Sequence, residues 1–139
     1  MSCRRAFAKE IDSLEGIFSF LGDFFARERI AAGPAFAIQL VVEELFTNLV
    51  KYNVPARNPV EVALARVGDE VRIELVDRDV DPFDPTSAPE VDVDAPLAAR
   101  QPGGLGLHLV RAVVDRVSFE WHDRVMRIGV VKNLERADV

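Results

Sequence analysis

Residues 41–53 read VVEELFTNLVKYN. The apolar positions of this stretch recur with a helical period rather than alternating as in a strand. At about 100° per residue, Ile38, Val41, Val42, Leu45 and Leu49 fall on one stripe, which must face a sheet. Glu44 and Asn48 lie together at the margin of that stripe, about 100° from its centre. Such a margin is partly withdrawn from water yet open to a ligand. It suits a carboxylate that takes a proton and an amide oxygen that holds a hard cation. Lys51 and Tyr52 follow one turn later near the same edge, whereas Glu43 points toward solvent. An ordinary amphipathic helix with a polar margin has the same spacing, because Glu-x-x-x-Asn alone is a loose pattern.

Upstream, Gly33-Pro34 breaks the chain and starts this helix, with Pro tolerated in the first turn, and the helix runs to about Asn53. An earlier helix carries Leu14, Ile17, Phe18, Leu21, Phe24 and Phe25 at helical spacing and ends near Arg29. Asp12-Ser13-Leu14-Glu15 matches a capping box at its start. Residues Arg5 to Lys9 fit a short edge strand. Downstream, Val60 to Ala65 and Val71 to Val76 alternate as strands, with Gly68-Asp69 as a hairpin signal in a loop expected to exceed two residues. From Asp77 to Pro102 no period persists, and Pro82, Pro85, Pro89, Pro96 and Pro102 mark a long loop. Loops of that length in a small domain are usually functional.

Gly103-Gly104-Leu105-Gly106 then leads into an amphipathic helix from Leu107 to Val114. Glycines there allow close backbone approach, and a helix start offers free N–H groups to an anion. The spacing is not the Walker pattern, since its lysine and hydroxyl are absent, nor is it G-x-G-x-x-G after a strand. A glycine-rich helix cap without a ligand explains it as well. Arg100, just upstream, is placed to meet phosphate charge; His108 reads as a packed helix residue, and His122 has no recognisable partner. Strands around Val117 to Trp121 and Val125 to Val131 close the chain. Helices first, then hairpin, loop, helix and hairpin predict a two-layer α/β (α+β) sandwich with helices on one face of a mixed, mostly antiparallel sheet.

The chain has 139 residues, the length of a single domain spanning 1–139. With 49% hydrophobic and 29% charged residues, it reads as globular rather than disordered. A net charge of −6 argues against direct nucleic-acid binding. Asp77, Asp79, Asp81, Asp84, Glu90, Asp92 and Asp94 crowd one segment, which reads mostly as a solvated acidic loop. No segment has the length of a membrane span, so no membrane association is expected. The opening MSCRRAFAKEID lacks a signal-peptide core, so a cytoplasmic home is expected. Cys3 is the sole cysteine, which excludes an internal disulfide.

Glu-x-x-x-Asn on a helix, an Asp-rich turn after a strand, and a Gly-x-Gly loop opening a helix occur here in one order. Together they resemble the GHKL ATPases with the Bergerat fold, and within them the anti-sigma-factor serine/threonine kinases of the RsbW type. The resemblance rests on Glu44 to Asn48, Pro82 to Pro85 and Gly103 to Val110 and covers nearly the whole chain. It implies Glu44 as the general base, Asn48 as the Mg²⁺ ligand, and Gly104 and Gly106 near the phosphates of ATP, with the preceding loop as a lid. Lys51, Arg100, Gly103, Leu105 and Leu107 complete the implied nucleotide site. The implied activity is ATP-dependent phosphorylation of a serine or threonine on an anti-sigma factor antagonist, alternating with inhibition of a sigma factor. The implied assembly is a homodimer.

One departure stands out. Where the family has Asp-x-Gly to contact adenine, the segment here is Asp77-Arg78-Asp79-Val80-Asp81-Pro82-Phe83, without glycine. Counting from the strand pairs Asp77 with the family's aspartate and Asp79 with its glycine. Counting back from Pro82-Phe83 puts Arg78 and Val80 there instead. Asp77 is the preferred contact. The alternative to a kinase is a degenerate, partner-binding module of the same fold with weak or lost nucleotide binding.

Overall fold

The computed structural model describes residues 2–52, 58–81 and 110–134. Along the chain it contains strand β1 (Ser2–Phe7), a 3-10 turn (Ile11–Ser13), helices α1 (Leu14–Glu28) and α2 (Ala32–Tyr52), then β2 (Val60–Val67), β3 (Glu70–Arg78), β4 (Arg116–His122) and β5 (Val125–Asn133). The strands form one sheet in the order β1-β2-β3-β5-β4, and each neighbouring pair is antiparallel. Among the described residues the expected mixed sheet is thus wholly antiparallel.

Alternation along the strands divides the sheet into two faces. Val62, Leu64, Val71, Ile73, Leu75, Met126, Ile128 and Val130 are buried and join Ile17, Leu21 and Phe24 of α1 with Ile38, Val41, Val42, Leu45, Phe46 and Leu49 of α2 in one core. The helices therefore cover one face, giving the two-layer sandwich. The opposite face carries ion pairs: Arg4 bonds Glu61 at 3.0 Å and Glu74 at 3.2 Å, and Arg78 also reaches Glu61 at 3.0 Å. These are half-exposed, worth at most about 1 kcal/mol each.

Several element ends differ from the sequence reading for local reasons. The proposed capping box does not form: Ser13 is the residue flanking α1, no side chain caps the helix, and the Ser13 hydroxyl donates to the Ala8 carbonyl at 2.7 Å. Helix α1 ends at Glu28, as expected near Arg29, and α2 begins at Ala32, one residue before Gly33-Pro34. Arg29 takes φ 54, its N–H donates to the Ala26 carbonyl at 3.4 Å, and Ile30 N–H donates to the Phe25 carbonyl at 2.9 Å. This is a Schellman termination with arginine where glycine is usual. Pro34 lies in the first turn of α2, where its missing N–H costs nothing. The β2–β3 hairpin is tighter than expected: Val67 pairs with Glu70 across a two-residue turn, and Gly68 supplies the positive φ of 60° that the turn needs. In the β4–β5 turn Asp123 (φ 56) and Arg124 (φ 65) adopt the same region without glycine.

Candidate functional site

Helix α2 brings Glu44, Asn48 and Lys51 to one flank, one turn apart. Burial differs among them: Glu44 is half-buried, Asn48 buried and Lys51 exposed. An amide oxygen withdrawn from water beside a half-buried carboxylate is a hard-oxygen pair suited to Mg²⁺ and to proton transfer. Glu43 is half-buried rather than solvent-facing. Phe46, unnoticed in the stripe, is fully buried and widens the apolar face.

Asp77 stands at the end of β3, opposite Met126 of β5, on the inner face with the core. Its side chain is 0% exposed, and Lys9 reaches it with Nζ 2.7 Å from Oδ2, the lysine side chain being 4% exposed. An ionised carboxylate this deep needs a counter-charge, because desolvating an unpaired one costs several kcal/mol at least. Asp79 is different. It is exposed and takes φ 58, a left-handed backbone that glycine adopts without strain. Its carboxylate accepts from Arg124 Nε at 3.0 Å, and Asp81 accepts from the other guanidinium nitrogen at 2.9 Å. These bonds, Asp79 first, raise the Arg124 guanidinium above its ordinary value.

The exit of β3 is thereby latched to the β4–β5 turn. Val80 N–H donates to the Arg124 carbonyl at 3.0 Å, and the Trp121 indole donates to the Val80 carbonyl at 3.0 Å. Val80 itself is buried, 3% exposed, so the latch pins an apolar residue between two polar ones.

A second anchor fixes the segment that follows the glycines in sequence. The chain is helical at residues 110–113, and the buried Lys132 of β5 donates from Nζ to the Val113 carbonyl at 2.9 Å. Asp115 N–H donates to the Val131 carbonyl at 2.9 Å, and Asn133 N–H to Asp115 Oδ2 at 2.6 Å. A lysine ammonium at the end of a helix satisfies an orphan carbonyl and opposes the negative end of the helix dipole. Arg100, Gly103, Gly104, Leu105, Gly106 and Leu107 lie outside the described residues, as does His108.

Sequence reasoning missed Lys9, Arg124, Trp121 and Lys132. Lys9 sat at the end of a predicted strand with nothing to mark it. Lys132 interrupts an apolar alternation, which is a signal, but its partner is 19 residues away.

The model for the histidine kinase-like ATPase domain matches residues 7–132. The chain belongs to this family. Among solved structures, the RsbU and RsbW domains of Rv1364c from Mycobacterium tuberculosis align with 98% of the histidine kinase-like chain at 16% identity and a TM-score of 0.70. The chain spans about a third, 33%, of that solved chain. The Acinetobacter baumannii histidine kinase AdeS aligns with 96% of this chain and 68% of its own, at 10% identity and a TM-score of 0.55. Identities this low carry the fold alone. A search of curated protein sequences gave no match. For a histidine kinase-like ATPase domain, the implied ligand is a nucleotide, generally with Mg²⁺. Among the described residues no helix is long and apolar enough to cross a membrane.

Proposed function

We propose that the chain is an ATP-dependent serine/threonine kinase of the anti-sigma-factor type. The observation that carries this reading is the α2 flank, where buried Asn48 lies one turn from half-buried Glu44 in a histidine kinase-like ATPase domain. Asn48 would hold Mg²⁺ through its amide oxygen. Mg²⁺ supplies neutralisation of phosphate charge. Glu44 takes the proton of the incoming hydroxyl as its oxygen bonds to the γ-phosphorus and the bond to the β–γ bridging oxygen breaks, releasing ADP. Phosphoryl transfer is mostly positioning and charge neutralisation, so few groups suffice. Asp77 is the purine contact, and the positive φ of Asp79 supports aligning it, rather than Val80, with the family's glycine. Gly103, Gly104, Leu105, Gly106 and Leu107 cradle the phosphates, with Arg100 and Lys51 adding positive charge. The protein substrate is an anti-sigma factor antagonist, the alternate partner a sigma factor, the setting the cytoplasm and the assembly a homodimer.

One observation favours a second reading, a partner-binding module with weak or lost nucleotide binding: Asp77 is already engaged by Lys9 at 2.7 Å. Titration calorimetry with ATP and Mg²⁺ separates the two. Heat of binding supports the kinase, and its absence at millimolar ATP leaves only the module. Where ATP binds, Glu44→Gln is expected to lower phosphoryl transfer by at least about a hundredfold, the scale of general-base catalysis, with affinity little changed. A fully active variant removes Glu44 as the base.

A further inference from the structure

The two members of the Lys9–Asp77 pair are held very differently. Asp77 is fixed: its backbone is in the β3–β5 ladder opposite Met126. Lys9 lies in the connection between β1, which ends at Phe7, and the 3-10 turn that starts at Ile11. Its backbone takes no part in the strand ladder. The ammonium at 2.7 Å makes a charge-assisted bond to Oδ2, stronger than the bond a neutral amino group of a purine could make at the same oxygen. An ammonium has only donors, so it cannot itself accept from that amino group. With the two side chains 4% and 0% exposed, a base cannot touch this carboxylate until something moves. Of the two, only Lys9 lies outside a strand.

We infer that Lys9 is an internal competitor for the base-contacting carboxylate, and that a purine nucleotide binds by displacing the Lys9 ammonium from Asp77. This rests on the nucleotide-binding reading above and adds to it an affinity-setting residue outside α2 and the glycine loop. Nucleotide affinity is then the difference between what the base gains and what the broken ion pair loses. Occupancy of the site is also coupled to the β1–α1 connection, which releases a charged side chain each time a nucleotide enters.

The test uses the full chain. Lys9→Gln keeps a donor for Asp77 but removes the charge, so the competitor is weakened while the buried carboxylate retains a hydrogen bond. Calorimetry with ATP and Mg²⁺ is expected to show at least about tenfold tighter binding in Lys9→Gln than in the wild type. In parallel, ¹⁵N-lysine NMR on the wild type, which needs no variant to fold, follows the Lys9 ammonium. Its signal is expected to be protected without ligand and to lose that protection at saturating ATP. Equal or weaker ATP binding by Lys9→Gln, or an ammonium signal unchanged at saturation, overturns the inference and leaves the kinase reading standing. Absence of ATP binding by both proteins overturns the nucleotide reading itself, and the inference falls with it.

Discussion

Lys132→Met isolates the anchor that ties the helix following the glycines to the sheet. Lys132 is 4% exposed, and its ammonium donates to the Val113 carbonyl at 2.9 Å. Losing a hydrogen bond from a charged donor costs about 1.5–3 kcal/mol, and the Val113 carbonyl is left without that partner. Against this, methionine no longer carries a charge out of water, and it fills similar volume with a more flexible apolar chain. The balance is a net loss of about 1–2 kcal/mol. With a urea slope of roughly 2 kcal/mol/M for a domain of this size, the midpoint falls by about 0.5–1 M. Urea unfolding followed by circular dichroism reads the midpoint, and hydrogen exchange at residues 110–114 reads the local effect. Faster exchange there, beyond what the global loss accounts for, identifies the anchor. A variant as stable as the wild type, with unchanged exchange at 110–114, refutes the reasoning.

Arg29→Gly removes a side chain from the left-handed end of α1, where φ is 54. Left-handed backbone costs a non-glycine residue about 1–2 kcal/mol, partly offset by the extra unfolded-state entropy of glycine. The variant is expected to be more stable by about 0.5 kcal/mol in urea; a less stable one shows that the Arg29 side chain matters more than its backbone. Glu61 gives a pH signature. Its carboxyl is held below its ordinary value of 4.5, first by the hydrogen bond from Arg78 and also by Arg4. A folded value below the unfolded one stabilises the fold above about pH 4.5, and that stability disappears as pH falls through the lowered folded value. Glu61→Gln is therefore expected to be less stable than the wild type at neutral pH and to converge on it in acid, as measured by urea midpoints across pH 2.5–7. A constant difference over that range contradicts the assignment.

The sequence by itself determined the layers. Helical spacing from Ile38 to Leu49 and alternation in Val60–Ala65 and Val71–Val76 follow from local geometry, because a helix repeats every 3.6 residues and a strand every two. The same regularity put Glu44 and Asn48 at the edge of the apolar stripe. Which polar groups meet across the fold is set by long-range packing. Lys9 and Asp77, Arg124 and Asp79, Trp121 and Val80, and Lys132 and Val113 are brought together by the strand order β1-β2-β3-β5-β4 and by the docking of connections against it. Backbone conformation at the turns belongs to the same class: Arg29 and the Asp123-Arg124 turn hold left-handed backbone against their own residue preference. A short-range pattern cannot encode such contacts. Their free energy comes from desolvated charge and shared hydrogen bonds between segments far apart in the chain, and it exists only once the core has closed.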